Sequence, residues 1–215
     1  MGIRRVKFAR WVIVAILPLA AHGASISQQE FEEVLRAKPD IVHGEELFDT
    51  CAACHGTDGA GTPDGNVPAI AAQHFRVIAR ALVDYRHDKR WDERMQQFSD
   101  QHHLSGAQEI ADVAAFISDL EPKRTLDLGR GASLDHGADV YARLCASCHG
   151  PAGEGDNLKR YPRLAGQHLE YLQRQMHDAI EGRRPNFPRE HVALLKRLEQ
   201  PDFVAVADYL SRLGR

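Results

Sequence analysis

The chain of 215 residues has the composition of a globular protein, with 43% hydrophobic and 27% charged residues, which excludes disordered and fibrous classes. Its 27 basic and 30 acidic side chains form no basic stripe, which argues against nucleic-acid binding. The length allows one large domain or two small ones.

The first 24 residues differ from the rest of the chain. An apolar run from Trp11 to Ala21 follows a basic start, and a small-residue segment ends the stretch. This order predicts a secretory signal peptide over residues 1–24, cleaved after Gly23 or Ala24, and hence a periplasmic protein. The alternative is an uncleaved anchor, although the apolar run is shorter than the roughly 20 residues that a span needs. Peripheral membrane association stays open.

The rest of the chain is an internal repeat with an offset of 94 residues. CAACHG at residues 51–56 recurs as CASCHG at residues 145–150. Further matches at that offset are Gly59 with Gly153, Gly61 with Gly155, Pro68 with Pro162, and Gln73-His74 with Gln167-His168. Such self-similarity predicts two equivalent domains, over 25–121 and 134–215. The polar segment 122–133 contains helix breakers and is predicted to be a linker.

Each half has the same predicted plan of helices. An amphipathic helix leads into the Cys motif, a loop with Gly and Pro follows, and two further helices close the half. The middle helix carries apolar residues at helical spacing, namely Phe75, Ile78, Ala79 and Leu82, then Leu169, Leu172, Met176 and Ile180. The sequence shows no alternating strand pattern, so the predicted fold class is all-α.

All four cysteines belong to the two repeated motifs. Two thiols three positions apart on a helical turn can form thioether bonds to the two vinyl groups of one haem, and the adjacent His then binds the iron. The predicted attachment residues are Cys51, Cys54 and His55 in the first half and Cys145, Cys148 and His149 in the second. The alternatives are a redox-active Cys pair, which favours a βαβ setting, and a four-Cys zinc site, which would have to join both halves.

A haem iron that shuttles electrons usually takes a sixth ligand, and Met raises its potential relative to His. In the first half the candidate is Met95, which follows His55 and precedes the last helix; its alternative role is a core side chain. The second half contains a single Met, Met176. It corresponds to Leu82 on the apolar face of the middle helix, so we expect a core residue.

The position equivalent to Met95 is reached in the second half by His191. Trp91 is four residues before Met95, and Phe187 is four residues before His191. We therefore predict His149 and His191 as the ligands of the second haem iron. The competing arrangements are Met176 or His177 as the ligand, or a vacant sixth site.

These features together resemble the dihaem cytochrome c4 family, in which two class I cytochrome c domains are fused. The resemblance covers essentially the whole chain after the leader. Its specific points are the paired CxxCHG motifs, the two repeated prolines, GQHLEYL at 166–172, QMxD at 175–178 and GxR at 182–184. It implies His/Met ligation of both haems, from which His191 departs. It also implies that the Pro68 and Pro162 carbonyls orient the proximal histidines.

The predicted function is electron transfer between respiratory redox proteins, such as a quinol-oxidising complex, a terminal oxidase or a periplasmic reductase. Residues 24–121 hold 18 acidic and 8 basic side chains, whereas residues 122–215 hold 12 acidic and 15 basic ones. This asymmetry predicts that the two halves dock different partners. The alternative is an oxidoreductase of the thiosulfate dehydrogenase or peroxidase type with a catalytic second haem; we expect a carrier and no enzyme.

Two further pairs carry open expectations. His74 and His168 recur at the start of the middle helix, where we expect hydrogen bonds within the terminal turn. Arg183 and Arg184 either approach a haem propionate or form a solvated pair.

Overall fold

The computed structural model describes residue 2 and residues 25–122 and 127–214. The predicted signal peptide, apart from residue 2, and residues 123–126 of the predicted linker lie outside these ranges. None of the helices in the described ranges has both the length and the apolarity that crossing a bilayer requires.

The described residues form an all-helical fold, as the sequence predicts, and their one β element is an isolated bridge between Asp156 and Tyr161. The helices of the first half are α1 (Ile26–Arg36), α2 (Ile41–His55), α3 (Phe75–Arg86), α4 (Glu93–Phe98) and α5 (Ala107–Asp119). Those of the second half are α6 (Leu134–Leu144), α7 (Ala146–His149), α8 (Leu169–Ile180), α9 (Arg189–Leu195) and α10 (Gln200–Arg212). The order repeats, except that α1 has no described counterpart and α2 corresponds to α6 and α7 together.

Helix α1 is absent from the sequence prediction. It begins after Ser25, whose hydroxyl accepts a hydrogen bond from the Gln28 backbone N–H, and it buries Phe31 and Val34 in the first core. Burial of two such side chains contributes roughly 1.5–3 kcal/mol each. Glu30 on α1 also pairs with Arg86 and His87 at the end of α3. The helical spacing of the apolar residues in α1 is the signal that would have revealed it.

Each half is built on a close crossing between the helix that leads to the Cys motif and the last helix. A Cβ atom on Gly44 of α2 would lie 2.2 Å from the carbonyl oxygen of Asp112 on α5. A Cβ atom on Gly137 of α6 would lie 2.1 Å from the carbonyl oxygen of Ala205 on α10. Only glycine allows these backbones to approach so closely. Each crossing brings the Cys motif of its half against an apolar core.

The two halves meet through a symmetric pair of glutamines. The Gln73 side chain donates to the Arg163 carbonyl (3.0 Å) and accepts from the Arg163 N–H (2.9 Å). Gln167 does the same to Ala69, donating to its carbonyl (2.7 Å) and accepting from its N–H (3.0 Å). Since both partners keep the offset of the repeat, the interface has an approximate two-fold axis.

The histidines that follow these glutamines complete the same interface. His74 Nε2 hydrogen-bonds the carbonyl of Glu154 (2.8 Å), and His168 Nε2 hydrogen-bonds the carbonyl of Ala60 (2.8 Å). The expectation of hydrogen bonds within the terminal turn is therefore wrong for these ring nitrogens. These ring nitrogens bond across the interface, and not within their own turn, because the loop carbonyls of the opposite half lie within hydrogen-bond distance.

Candidate haem centres

The two predicted proximal histidines occupy equivalent positions at the ends of α2 and α7. His55 and His149 are buried, and their Nδ1 atoms donate to the carbonyls of Pro68 and Pro162, each at 3.0 Å. Burial lowers the pKa of both imidazoles. A donated Nδ1–H leaves Nε2 as the unprotonated nitrogen, which is the form that binds a metal. The expected role of the two prolines is confirmed by these contacts.

The four cysteines are free thiols on the same helical turns as the histidines. Cys51 and Cys145 are half-buried against the first and second cores, whereas Cys54 and Cys148 are exposed. Burial raises the pKa of Cys51 and Cys145 to about 11. A thiol with a raised pKa is a poor nucleophile at neutral pH, which argues against the alternative of a redox-active Cys pair.

The alternative of a shared zinc site receives no structural support in the ranges that the structure describes. They contain no group of three or more His, Cys, Asp or Glu side chains arranged to hold a metal ion. Cys51 and Cys145 instead pack against separate cores, one in each half.

Met95 lies at the third position of α4, which begins after Asp92. The Asp92 carboxylate caps this helix by accepting hydrogen bonds from the N–H groups of Arg94 and Met95. The Met95 side chain is half-buried against the core of the first half. Asp92 and Arg94 both act electrostatically on His55, so the start of α4 lies close to this histidine.

His191 lies at the third position of α9, as Met95 does in α4. Its ring centroid is 6.0 Å from that of His149, with the ring planes inclined by 51°. Two imidazoles that share one metal at nitrogen distances of about 2 Å have centroids roughly 6 Å apart, so the donor pair fits an iron between them. Burial, His149 and Arg184 together lower the pKa of His191 to about 4, which keeps its nitrogen available.

The two competing ligands of the second half are engaged in apolar packing. Met176 on α8 lies between the two apolar clusters of the second half, as expected for a core residue. The ring of His177 packs against Phe203 of α10, with centroids 5.1 Å apart.

Arg183 and Arg184 do not form a solvated pair, because their side chains lie in different surroundings. Arg183 is exposed and pairs with Asp178 and Glu181. Arg184 turns inward to the boundary between the halves, where Arg90 lies as well. Arg90 was not singled out from the sequence, although Arg90 and Arg184 are related by the repeat offset and each precedes a predicted sixth ligand.

Comparison with known proteins agrees with this fold. The family model for cytochrome c matches residues 41–121 and 134–213. The chain is similar to cytochrome c4 of Pseudomonas aeruginosa, at 29% identity covering 82% of this chain and 90% of the relative. It is similar to a thiosulfate dehydrogenase electron acceptor of Stutzerimonas stutzeri, at 31% identity covering 77% and 79%. The crystal structure of reduced recombinant cytochrome c4 from Pseudomonas stutzeri superposes with a TM-score of 0.73 at 26% identity, covering 82% of this chain and 100% of that one.

Proposed function

Since the chain belongs to the dihaem cytochrome c4 family, we propose that it carries electrons in one direction, from its second half to its first. The chain is a dihaem electron-transfer cytochrome with two covalent haem c groups. The proposal adds the ligands, the direction and the partners, and it keeps the predicted division into domains 25–121 and 134–215 joined by the linker 122–133.

The proposed attachment follows the repeated motifs. Each haem forms thioethers with the two Cys side chains of one motif, so the first half uses Cys51 and Cys54 and the second uses Cys145 and Cys148. His55 and Met95 hold the first iron. His149 and His191 hold the second, a proposal that depends above all on the 6.0 Å separation of these two rings. The bound haem supplies one-electron chemistry at its iron.

The direction follows from the difference between the sixth ligands. A thioether favours ferrous iron more than an imidazole does, so the His/Met centre has the higher potential. Electrons therefore enter at the second half and leave from the first. The hydrogen bonds from His55 to Pro68 and from His149 to Pro162 are alike, so the proximal side does not distinguish the two centres.

The proposed location is the periplasm, with the leader directing export. The partners are respiratory redox proteins, such as a quinol-oxidising complex on one side and a terminal oxidase or periplasmic reductase on the other. Similarity to a protein named as an electron acceptor supports the role of a carrier. Peripheral association with the membrane surface is compatible with partners that lie in it.

The two partners dock on differently charged surfaces. The acidic first half attracts a basic redox protein, and the slightly basic second half attracts an acidic one. We expect added salt to slow both reactions. Neutralising the exposed pair Glu45 and Glu46 should slow electron transfer only with the basic partner. Neutralising the exposed pair Lys196 and Arg197 should slow electron transfer only with the acidic partner. Rates independent of ionic strength would contradict docking by charge.

An electron carrier has a protein ligand at the sixth coordination position of the second iron, whereas an enzyme of the alternative type has this position open. If His191 closes it, the ferrous wild type is low-spin and binds carbon monoxide slowly, whereas His191→Ala binds it readily. Absorption spectroscopy with and without carbon monoxide measures both. Rapid binding of carbon monoxide by the wild type, with one haem high-spin, would contradict the carrier function and favour an oxidoreductase.

A further inference from the structure

Helix α1 contacts both halves, although it precedes the first repeat. The cytochrome c family model begins to match at residue 41, so α1 lies outside both matched ranges. The Phe31 side chain of α1 is buried in the first core. The guanidinium carbons of Arg80 and Arg160 each lie 5.4 Å from the centroid of the Phe31 ring. Since Arg80 belongs to α3 and Arg160 to the second half, this one ring joins the two halves.

This contact breaks the two-fold symmetry of the interface. Arg174 on α8 is the repeat counterpart of Arg80. Its Nη2 atom donates to the carbonyls of Gly65 (3.3 Å) and Asn66 (3.0 Å), which belong to the loop after the first Cys motif. Arg80 instead donates to the side-chain oxygen of Gln28 on α1 (3.1 Å). An arginine therefore holds the loop of the first half directly, whereas α1 stands between Arg80 and the loop of the second half.

The loop that contains Arg160, residues 156–161, meets the first half at a second point. The Asn157 side-chain oxygen accepts a hydrogen bond from the backbone N–H of Arg76 (3.0 Å), in the first turn of α3. An N–H group at this position has no acceptor within its own helix, so the second half caps a helix of the first. Arg160 has a φ of +60°, a strained conformation that persists only where the surrounding contacts hold it.

The same loop ends beside the second candidate haem centre. Asp156 and Tyr161 close it as a β-bridge, with N–H···O distances of 2.8 and 2.9 Å between their backbones. The Tyr161 ring centroid lies 6.2 Å from that of His149. The next residue is Pro162, whose carbonyl accepts the hydrogen bond from His149 Nδ1 (3.0 Å). A single residue therefore separates Arg160 from the proline that orients the histidine.

We propose that Phe31 is a positioning residue for the second haem, because it holds the loop 156–161 against the first half and so keeps Pro162 and His149 in place. The proposal rests on attachment of that haem at His149, as proposed above. A side chain of the first half then acts on the cofactor of the second through Arg160. Loss of the contact admits water beside the second haem. Water stabilises the more highly charged ferric state, so the reduction potential falls.

The first test removes the contact from the second half, where no core is disturbed. In the holoprotein, Arg160→Gln should speed backbone hydrogen exchange of the loop 156–161 roughly threefold, as expected for loss of an exposed cation–π contact. The matched control is Lys159→Gln, which removes the same charge from the neighbouring exposed side chain. Redox titration should show a lower potential of the second haem in Arg160→Gln than in Lys159→Gln.

The second test acts from α1. Phe31→Leu keeps an apolar side chain in the first core but removes the ring that faces Arg160, so loop exchange should rise as it does in Arg160→Gln. Val34→Ala on the same helix removes apolar contacts from the first core and should leave loop exchange unchanged. The double variant Phe31→Leu/Arg160→Gln should add nothing to the single ones, because both remove the same contact.

The outcomes separate this role from the proposed function. Equal loop exchange or equal potentials in Arg160→Gln and Lys159→Gln would overturn the positioning role and leave the carrier intact. A wild type that holds only one haem would instead overturn the proposed function. Circular dichroism reports whether Phe31→Leu folds; if it does not, the comparison of Arg160→Gln with Lys159→Gln decides alone, since both residues are exposed.

Discussion

The imidazole rings of His149 on α7 and His191 on α9 lie with their centroids 6.0 Å apart and their planes inclined by 51°. In the first half, Met95 occupies the position in α4 that His191 occupies in α9, the third residue of a short helix. At this position the two halves carry side chains of different chemistry, a thioether and an imidazole. The proposed difference in reduction potential follows from these two side chains.

We expect two redox waves, the lower from the second haem and the upper from the first. Exchange of the His191 side chain should bring them closer together. In His191→Met a thioether replaces the imidazole, so the lower redox wave should rise by at least about 59 mV, a tenfold change in the reduction equilibrium, while the upper wave stays in place. Redox titration followed by absorption measures both waves. The control is His177→Gln, which removes the competing histidine and should shift neither. An unchanged lower wave in His191→Met would rule out His191 as the ligand.

The symmetric glutamines should hold the halves together. Each makes two hydrogen bonds to the backbone of the opposite half, so Gln73→Ala or Gln167→Ala should lower the free energy of unfolding by about 1–3 kcal/mol. Guanidinium unfolding followed by circular dichroism measures the loss. The double variant should unfold in two steps, as the halves lose their coupling. The exposed Gln101→Ala serves as the control, and an equal loss there would contradict the assignment.

The crossing of α2 and α5 should not tolerate a methyl group. Gly44→Ala places a Cβ atom 2.2 Å from a carbonyl oxygen, which should destabilise the protein by about 3 kcal/mol or more. Gly106→Ala meets no atom within 4 Å and should cost only about 1 kcal/mol, because Ala is a poor N-cap. Chemical unfolding of the two variants gives the comparison. Similar losses of stability in the two variants would show that the helices can move apart at the crossing.

A histidine should tie the stability of the first half to pH. The side chain of His43 hydrogen-bonds the buried Asp112 carboxylate (2.9 Å), and this contact raises the pKa of His43 above its usual value. A raised folded-state pKa stabilises the fold below about pH 6.5, and the effect is lost as pH rises through the folded pKa. The stability difference between wild type and His43→Gln should therefore be larger at pH 5.5 than at pH 8.5. The exposed His102→Gln provides the control, and a difference that grows with pH would contradict the sign.

Part of the candidate site could be predicted from the local sequence pattern. The attachment motifs, the core role of Met176 and the placement of Met95 and His191 in matching helices all follow from residue spacing within one half. Helix α1 was equally accessible, since its apolar spacing is regular, but it lies outside the repeat that organised the prediction. The hydrogen bonds of His74 and His168 were not accessible, because their acceptors are loop carbonyls 80 and 108 residues away.

The sequence by itself determined that two equivalent helical domains each carry a c-type haem, because covalent attachment needs two thiols and a histidine at fixed spacing and the repeat supplies them twice. Only the tertiary structure decided that His149 faces His191, and that Arg90 and Arg184 meet between the halves. The physical reason is that ligand approach and charge burial depend on how separate helices pack. The spacing of residues along the chain determines which side chains lie on the same helical turn. The packing of the helices determines which of these turns lie close enough to bind the same haem.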